Sequence, residues 1–172
     1  VISGRTDRIA ADDNSWKQRL DRANTYPTKQ DMDTYMRDTA EFALEKVAVQ
    51  MRQRGYDAIL LTSELPDLEL PQLDLQVTLH NERKFRYQLF PVASECPEFL
   101  AGDQKEYFRL EVYDLTGSLG YDVYGYSENQ LINNVLDLYE RHLAFLHMQS
   151  ERPGESDVSD GAEPERIWRE DN

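Results

Sequence analysis

Aromatic residues in the second half of the chain are the side chains best suited to chemistry. They are Tyr107, Phe108, Tyr113, Tyr121, Tyr124, Tyr126 and Tyr139. Aromatic rings that surround a cavity hold quaternary ammonium ions by cation–π attraction. Tyrosine is also a favoured strand residue, because its ring packs well on a half-buried sheet. The sequence therefore leaves two interpretations, a cage for an ammonium ion and ordinary sheet packing, and favours the second.

Histidine and cysteine form no pattern that is typical of a metal or catalytic site. The histidines are His80, His142 and His147. The last two lie five residues apart in one helical segment, a spacing that does not place them on a common face for a metal. Cys96 has no neighbouring cation to activate its thiol. No nucleophile motif or glycine-rich phosphate loop occurs, so the sequence predicts no catalytic residue, no metal and no cofactor.

The acidic composition argues against several classes of function. The 172 residues include 19 Lys and Arg against 33 Asp and Glu, a formal net charge of −14. Such a surface argues against nucleic-acid binding, which needs a basic face. At 40% hydrophobic residues the chain can still bury a core, and its length suits one domain with short tails. No apolar stretch approaches the ~18–20 residues of a membrane span.

Helices are predicted from apolar spacing and from their caps. Their expected bounds are 16–24, 29–54 and 127–147. Thr28 is a good N-cap for the first long helix, and Gly55 is a good residue to end it. Ser127 and Gln130 form a capping box at the start of the second long helix.

Strand character marks five segments between the long helices. They are 56–62, 73–79, 85–92, 106–115 and 121–125, with a proline-containing loop expected over 63–72. Several of them alternate apolar and polar residues, which indicates a sheet with one buried face. The predicted fold is α+β, with two layers: a mostly antiparallel sheet of four to five strands, covered on one face by two long helices.

A family resemblance is carried by Tyr121–His147, YDVYGYSENQLINNVLDLYERHLAFLH. It resembles the distal part of the cytoplasmic C-terminal domain of BetT-type high-affinity choline transporters, in the betaine/choline/carnitine transporter family. The shared pattern is a YDV-x-G-aromatic strand end, a serine cap and a helix ending near YERHL. The segments at Trp16–Leu20, Tyr26–Thr28 and Arg52–Gly55 also match, so the resemblance covers about residues 15–148.

The resemblance implies a role in transport rather than catalysis. The parent would be a carrier in the bacterial inner membrane that imports choline, and this chain would be a cytoplasmic domain that modulates uptake under osmotic stress. Its partners would be the transmembrane part of the same transporter and inner-membrane lipid headgroups. Two alternatives stay open: a binding module that senses choline or betaine, and a passive domain for assembly or stability. A free-standing enzyme finds no support in the sequence.

The predicted organisation has three parts. Residues 1–15 are expected to be a juxtamembrane linker, 16–148 the regulatory domain, and 149–172 an acidic disordered tail. Because the chain opens on Val1 without an initiator methionine, we expect it to be a piece of a larger protein. The candidate contact patch comprises Trp16, Arg19, Asp122, Tyr124, Tyr126, Arg141 and His142. The motif at 121–126 also has a structural interpretation, in which Gly125 permits a tight corner before the helix.

Overall fold

The computed structural model describes residues 16–79, 83–100 and 102–150. The expected linker, the tail from residue 151 onward and the centre of the turn at 80–82 lie outside the described residues. In chain order the elements are α1 (16–23), α2 (Lys29–Tyr35), α3 (Glu41–Gln53), β1 (Asp57–Leu65), β2 (Leu70–Thr78), β3 (Lys84–Glu95), β4 (Glu106–Asp114), β5 (Gly117–Asp122) and α4 (Glu128–Ser150). The predicted α+β class is confirmed.

The first long helix is continuous from α2 through α3 and has the predicted ends. The Thr28 hydroxyl accepts a hydrogen bond from the Asp31 N–H at 3.2 Å, and the Asp31 carboxylate accepts one from the Thr28 N–H at 3.0 Å. This reciprocal capping satisfies two N–H groups that have no partner within the helix. Gly55 follows the helix with φ of +87°, the left-handed conformation that glycine adopts without strain.

A π-helical turn, Met36–Ala40, joins α2 to α3 and affects which residues face the sheet. Buried residues recur here at intervals of four: Met32, Met36, Ala40, Leu44 and Ala48. In a regular α-helix each interval of four residues advances by about 40° around the axis, so five such residues would spread over about 160°. The wider π turn offsets part of this drift and keeps the row on the core side. Apolar spacing along the sequence predicts the helix but not this turn.

The strands form one antiparallel sheet in the order β1-β2-β3-β4-β5, so that each strand pairs with its neighbours along the chain. Over 73–77, 85–89 and 108–112, every second residue of the three central strands is buried, as the alternation predicts. These residues are Leu73, Leu75, Val77, Phe85, Tyr87, Leu89, Phe108, Leu110 and Val112. The opposite face carries polar pairs such as Asp74 and Arg86, whose carboxylate and guanidinium groups meet at 2.7 and 3.0 Å.

The two long helices and the sheet share one hydrophobic core. The first long helix, formed by α2 and α3, contacts β1, β2 and β4. Helix α4 contacts β3 and α3. Three residues of α4 join the buried cluster: Leu131, Val135 and Leu138. Asn134 of the same helix accepts a hydrogen bond from the Tyr87 hydroxyl at 2.7 Å and donates one to the Tyr121 hydroxyl at 3.0 Å. The polar ends of two sheet tyrosines are therefore satisfied by α4.

The predicted loop over 63–72 is wrong. Strands β1 and β2 fill this segment except for a tight turn at 66–69. Pro71 pairs with Glu64 of β1, whereas the pairing between β2 and β3 begins only at Leu73. The missing N–H of Pro71 therefore interrupts no ladder on the β3 side, and proline is tolerated within the strand.

The last strand begins earlier than the predicted segment at 121–125. A two-residue turn at 115–116 is enough to reverse the chain, and β5 starts at Gly117. Its pairing with β4 shifts register between Glu111 and Tyr113. The local pattern around two glycines did not indicate that these residues belong to the sheet.

Truncation of a core residue of β2 tests this architecture. Leu75 is fully buried, so Leu75→Ala is expected to lower the free energy of unfolding by about 2–5 kcal/mol through lost burial and a residual cavity. Urea denaturation followed by circular dichroism measures the change. The control is Leu115→Ala, because Leu115 is 59% exposed in the β4–β5 turn; its effect is expected within about 0.5 kcal/mol. Equal effects would contradict the assignment of the buried face.

Candidate functional site

The segment that joins β5 to α4 brings together residues from distant parts of the chain. We call this group the tyrosine corner; its members are Arg22, Tyr35, Asp122, Tyr124, Gly125 and Tyr126. Arg22 belongs to α1 and Tyr35 to α2, whereas the other four belong to the segment that carries the family motif. The chain here leaves the edge of the sheet and enters α4.

Asp122 holds the corner to the neighbouring strand through its side chain. Its Oδ1 atom accepts hydrogen bonds from the N–H groups of Leu110 and Tyr124, each at 2.9 Å. The residue retains solvent exposure, but this oxygen lies against the backbone, and burial raises the pKa of the carboxyl group. The two N–H donors and the charge of Arg109 act in the opposite direction. Asp122 is therefore engaged within the fold, which supports the structural interpretation of the motif.

Tyr35 connects the first long helix to the same corner. Its hydroxyl donates to the Tyr126 carbonyl at 2.7 Å and lies 3.2 Å from the Val123 carbonyl. Its ring meets that of Tyr124 with centroids 5.0 Å apart. Burial raises the pKa of the Tyr35 hydroxyl, and the neighbouring Tyr124 and Asp122 add to this effect. The hydroxyl therefore stays protonated and serves as a hydrogen-bond donor.

Arg22 attaches the short helix α1 to the corner. Its guanidinium carbon lies 4.7 Å from the centroid of the Tyr126 ring, which is a cation–π contact. Its Nη1 atom also donates to the Gln130 side chain at 3.4 Å. Gln130 in turn accepts from the Ser127 N–H at 2.9 Å, which completes the predicted capping box of α4. Arg22 therefore links α1 to the first turn of α4.

Gly125 makes the close approach of Arg22 possible. It has φ of +81°, and a Cβ atom at this position would lie 3.3 Å from Cγ and Cδ of Arg22. Gly120 has a similar φ of +76°, but a Cβ atom there would meet nothing within 4 Å. The two glycines therefore share a backbone conformation and differ in their surroundings.

The aromatic residues considered for an ammonium cage are distributed among separate neighbours. Tyr107 packs against Tyr26, Tyr113 against Phe90, and Tyr139 against Phe85, with centroid distances of 5.0, 4.9 and 5.2 Å. Phe108 is buried in the core. At the tyrosine corner, the ring of Tyr126 already carries the guanidinium group of Arg22. The chain thus supplies a cation of its own to the Tyr126 ring.

The candidate contact patch is divided between two places. Arg22 connects α1, which carries Trp16 and the exposed Arg19, to the tyrosine corner. Arg141 and His142 lie farther along α4, where they border a small cavity of about 220 Å³ with Phe85 and Asp114. Burial lowers the pKa of the His142 imidazole, and the charge of Arg83 acts in the same direction, whereas Asp114 opposes both.

An open apolar groove of about 960 Å³ runs between α3 and α4. Its lining includes Phe42, Val47, Met51, Ile132, Leu136 and Leu143. Phe42 is 60% exposed on its rim. An ion pair between Lys46 and Glu128 joins the two helices beside it. No group of three metal-ligating side chains occurs in the part of the chain that the structure describes.

Sequence reasoning missed Arg22, Tyr35 and Gln130 as partners of the motif. The sequence predicts Gln130 only as a helix cap, and it assigns Tyr35 and Arg22 no contact with the motif. Arg22 lies 108 residues from Gln130, and Tyr35 lies 88 residues from Val123, so no local pattern relates these partners. The only local signal was that Gly125 stands between two tyrosines.

No protein-family model matches the chain. Individual known proteins do resemble it. It is 41% identical over 152 residues to the high-affinity choline transport protein of Escherichia coli strain K12, which covers 83% of this chain and 22% of the relative. It is 35% identical over 144 residues to the osmo-dependent choline transporter BetT2 of Acinetobacter baylyi, covering 81% and 21% of the two chains.

A third relative is the glycine betaine transporter of Acinetobacter baylyi, 31% identical over 155 residues, covering 87% of this chain and 23% of the relative. The chain thus spans about a fifth of the length of the curated relatives that it matches. Within the described ranges, no helix combines the length and apolar character needed to cross a membrane.

A matched pair of glycine variants tests the contact between α1 and the corner. Both Gly120→Ala and Gly125→Ala are expected to cost about 1–2 kcal/mol, because alanine is strained at positive φ. Gly125→Ala should cost more, because its Cβ displaces Arg22. Urea denaturation of both variants, alone and combined with Arg22→Ala, measures the difference. The extra cost should vanish in the Arg22→Ala background; if it persists, Arg22 is not what the added methyl group displaces.

Proposed function

Since the chain belongs to the betaine/choline/carnitine transporter family, we propose that it is the cytoplasmic C-terminal domain of a choline carrier and modulates uptake under osmotic stress. The observation that carries the proposal is the similarity at 41% identity to a choline transport protein, over only 22% of that protein's length. One of the relatives is named an osmo-dependent choline transporter. The proposed partner is the transmembrane part of the same protein.

The charge of the chain supports a response to ionic strength. A net charge of −14 repels other acidic surfaces, including the anionic leaflet of a membrane. The Debye length falls from about 8 Å at 0.15 M salt to about 3 Å at 1 M. Rising internal salt therefore weakens this repulsion and lets the domain move closer to the membrane or to the carrier. Such a change in docking biases an equilibrium between inactive and active carrier.

The contacts of the tyrosine corner support a route by which a docking event at α1 affects the folded core. Helix α1 precedes the core in the chain, and Arg22 connects it to Tyr126 and to the first turn of α4. Because Tyr35 of the first long helix bonds the same corner, a displacement of α1 acts on both long helices. Arg19 is exposed on α1 and is the proposed contact with lipid headgroups, since Arg22 is already engaged.

Passive support of assembly and direct sensing of choline are the competing functions. The distribution of the aromatic side chains does not favour sensing, because Arg22 occupies the Tyr126 ring. Among the residues that the structure describes, no particular contact favours assembly over regulation.

Uptake measurements on the full-length carrier test the regulatory role. Removal of residues 16–172 is expected to leave choline uptake in place and to abolish its increase at high osmolality, because the screening surface is lost. Radiolabelled choline uptake at low and high osmolality, normalised to the amount of carrier in the membrane, measures the effect. If both forms respond alike at equal abundance, the regulatory role is wrong; loss of abundance alone would indicate assembly.

A point variant localises the coupling within the domain. Arg22→Ala in the full-length carrier is expected to shift the osmotic threshold of uptake, because it frees α1 from the corner. Arg37→Ala is the matched control, since Arg37 is an exposed arginine whose ion pair, with Asp33 at 2.9 Å, stays within α2 and the adjoining turn. A shift of equal size in both variants would assign the effect to net charge rather than to the corner.

Calorimetry separates regulation from choline sensing. Titration of choline into the 172-residue chain is expected to give no saturable heat, because the cation site at Tyr126 is filled by Arg22. The same titration with Arg22→Ala tests whether the vacated ring accepts an ammonium ion. Saturable binding to the unaltered chain would favour the sensing module.

A further inference from the structure

The two edges of the sheet differ in how they are protected. Strand β5 is six residues long and starts at a glycine, and its pairing with β4 shifts register. Strand β1 is nine residues long and pairs with β2 without a shift along its whole length. In the described residues, β1 has no strand on its other side. A long regular edge is a template for pairing with another chain, unless charge, a bulge or a covering element prevents it.

The direction of the free backbone groups follows from one hydrogen bond. In an antiparallel ladder, successive residues direct their N–H and C=O groups alternately toward the partner strand and away from it. The carbonyl of Ala58 accepts a hydrogen bond from the Arg52 side chain at 2.8 Å, so Ala58 faces away from β2. Leu60, Thr62 and Glu64 have the same parity and present their backbone groups to the open edge. Arg52 closes one end of that edge.

We propose that β1 pairs with β1 of a second copy, antiparallel and around a two-fold axis at Leu61. This register places Leu60 opposite Thr62 of the second copy, and Thr62 opposite its Leu60. Both pairs use outward-facing backbone groups, so both can exchange two hydrogen bonds. Two five-stranded sheets would then continue as one.

The side chains of β1 are self-complementary in this register. Leu61 faces Leu61 across the axis, and Ile59 faces Ser63 beside it. Ile59 and Leu61 are 51% and 44% exposed on the face of the sheet opposite the core, so pairing removes apolar surface from water. Glu64 meets Ala58, and Asp57 meets Leu65, so neither acidic residue lies directly opposite another. This complementarity of β1 with itself identifies the partner as a second copy.

The net charge predicts how this association depends on salt. Two chains of net charge −14 repel each other, and the proposed contact is short and confined to one strand. Both features indicate a weak, reversible dimer rather than an obligate one. Salt screens the repulsion, so the dimer strengthens as ionic strength rises. Pairing of two copies through β1 is independent of the proposed role in transport.

Sedimentation velocity of the 172-residue chain tests the proposal. The chain is run over a concentration series at about 0.1 M and about 1 M salt, where the Debye length is about 10 Å and about 3 Å. A concentration-dependent dimer that becomes tighter at high salt is expected. A chain that stays monomeric throughout, or a dimer that high salt weakens, would overturn the proposal.

Two edge variants and two controls localise the contact. Thr62→Pro removes an outward N–H that β2 does not use, and Leu61→Lys places two like charges across the axis; each is expected to weaken the dimer by about tenfold or more. Leu115→Lys is the matched control, because Leu115 is similarly exposed but lies away from β1. Phe42→Lys tests the groove between α3 and α4. Loss of dimer in Phe42→Lys with no change in Leu61→Lys would assign association to the groove and overturn the proposal.

Circular dichroism and urea denaturation establish that each variant is folded. Leu61→Lys replaces an exposed side chain, so it is expected to keep the stability of the unaltered chain. Leu61→Lys therefore tests the β1 contact even if Thr62→Pro unfolds β1.

Discussion

Because successive residues of a strand face opposite sides of the sheet, the apolar rows of β2, β3 and β4 require a cover along one face. The two long helices supply it, and their own geometry adapts to the sheet. The π turn at Met36–Ala40 keeps residues spaced by four on the core side. On α4, Asn134 satisfies the hydroxyls of Tyr87 and Tyr121 where they meet the helix. Burial of this one face thus decides both the path of the helices and the polar contacts beneath them.

The tyrosine corner connects the last strand of the sheet to the helix α4 that covers it. The chain must pass from the edge strand β5 to a helix that packs across the sheet, within the few residues between Asp122 and Glu128. The side chain of Asp122 accepts a hydrogen bond from the Leu110 N–H of β4, at the point where β5 ends. Gly125 adopts the positive φ that the turn requires. The Tyr35 hydroxyl donates a hydrogen bond to the Tyr126 carbonyl. The residues of the motif thereby hold the corner together, and Tyr126 contacts α1 through Arg22.

Charge and edge geometry act in opposite directions on association. The net charge of −14 keeps copies of the chain apart, whereas the open edge of β1 offers them backbone partners. Ionic strength shifts the balance because it screens only the first of these. This combination would make the proposed association depend on salt without a specific ion site, which is in keeping with the proposed role under osmotic stress.

The sequence by itself determined the α+β class, the central strands and the capping of both long helices. Alternation and capping boxes are local properties, and residues such as Thr28, Gly55 and Ser127 act on groups within four residues of themselves. Strand ends around Pro71 and Gly117 were misjudged, because pairing with a neighbour overrides local preference. Only the tertiary structure decided which residues meet at the corner: Tyr35 bonds Tyr126 over 91 residues, and Arg22 reaches Gln130 over 108. Such contacts depend on how helices pack on the sheet, and no pattern of spacing along one chain encodes that packing.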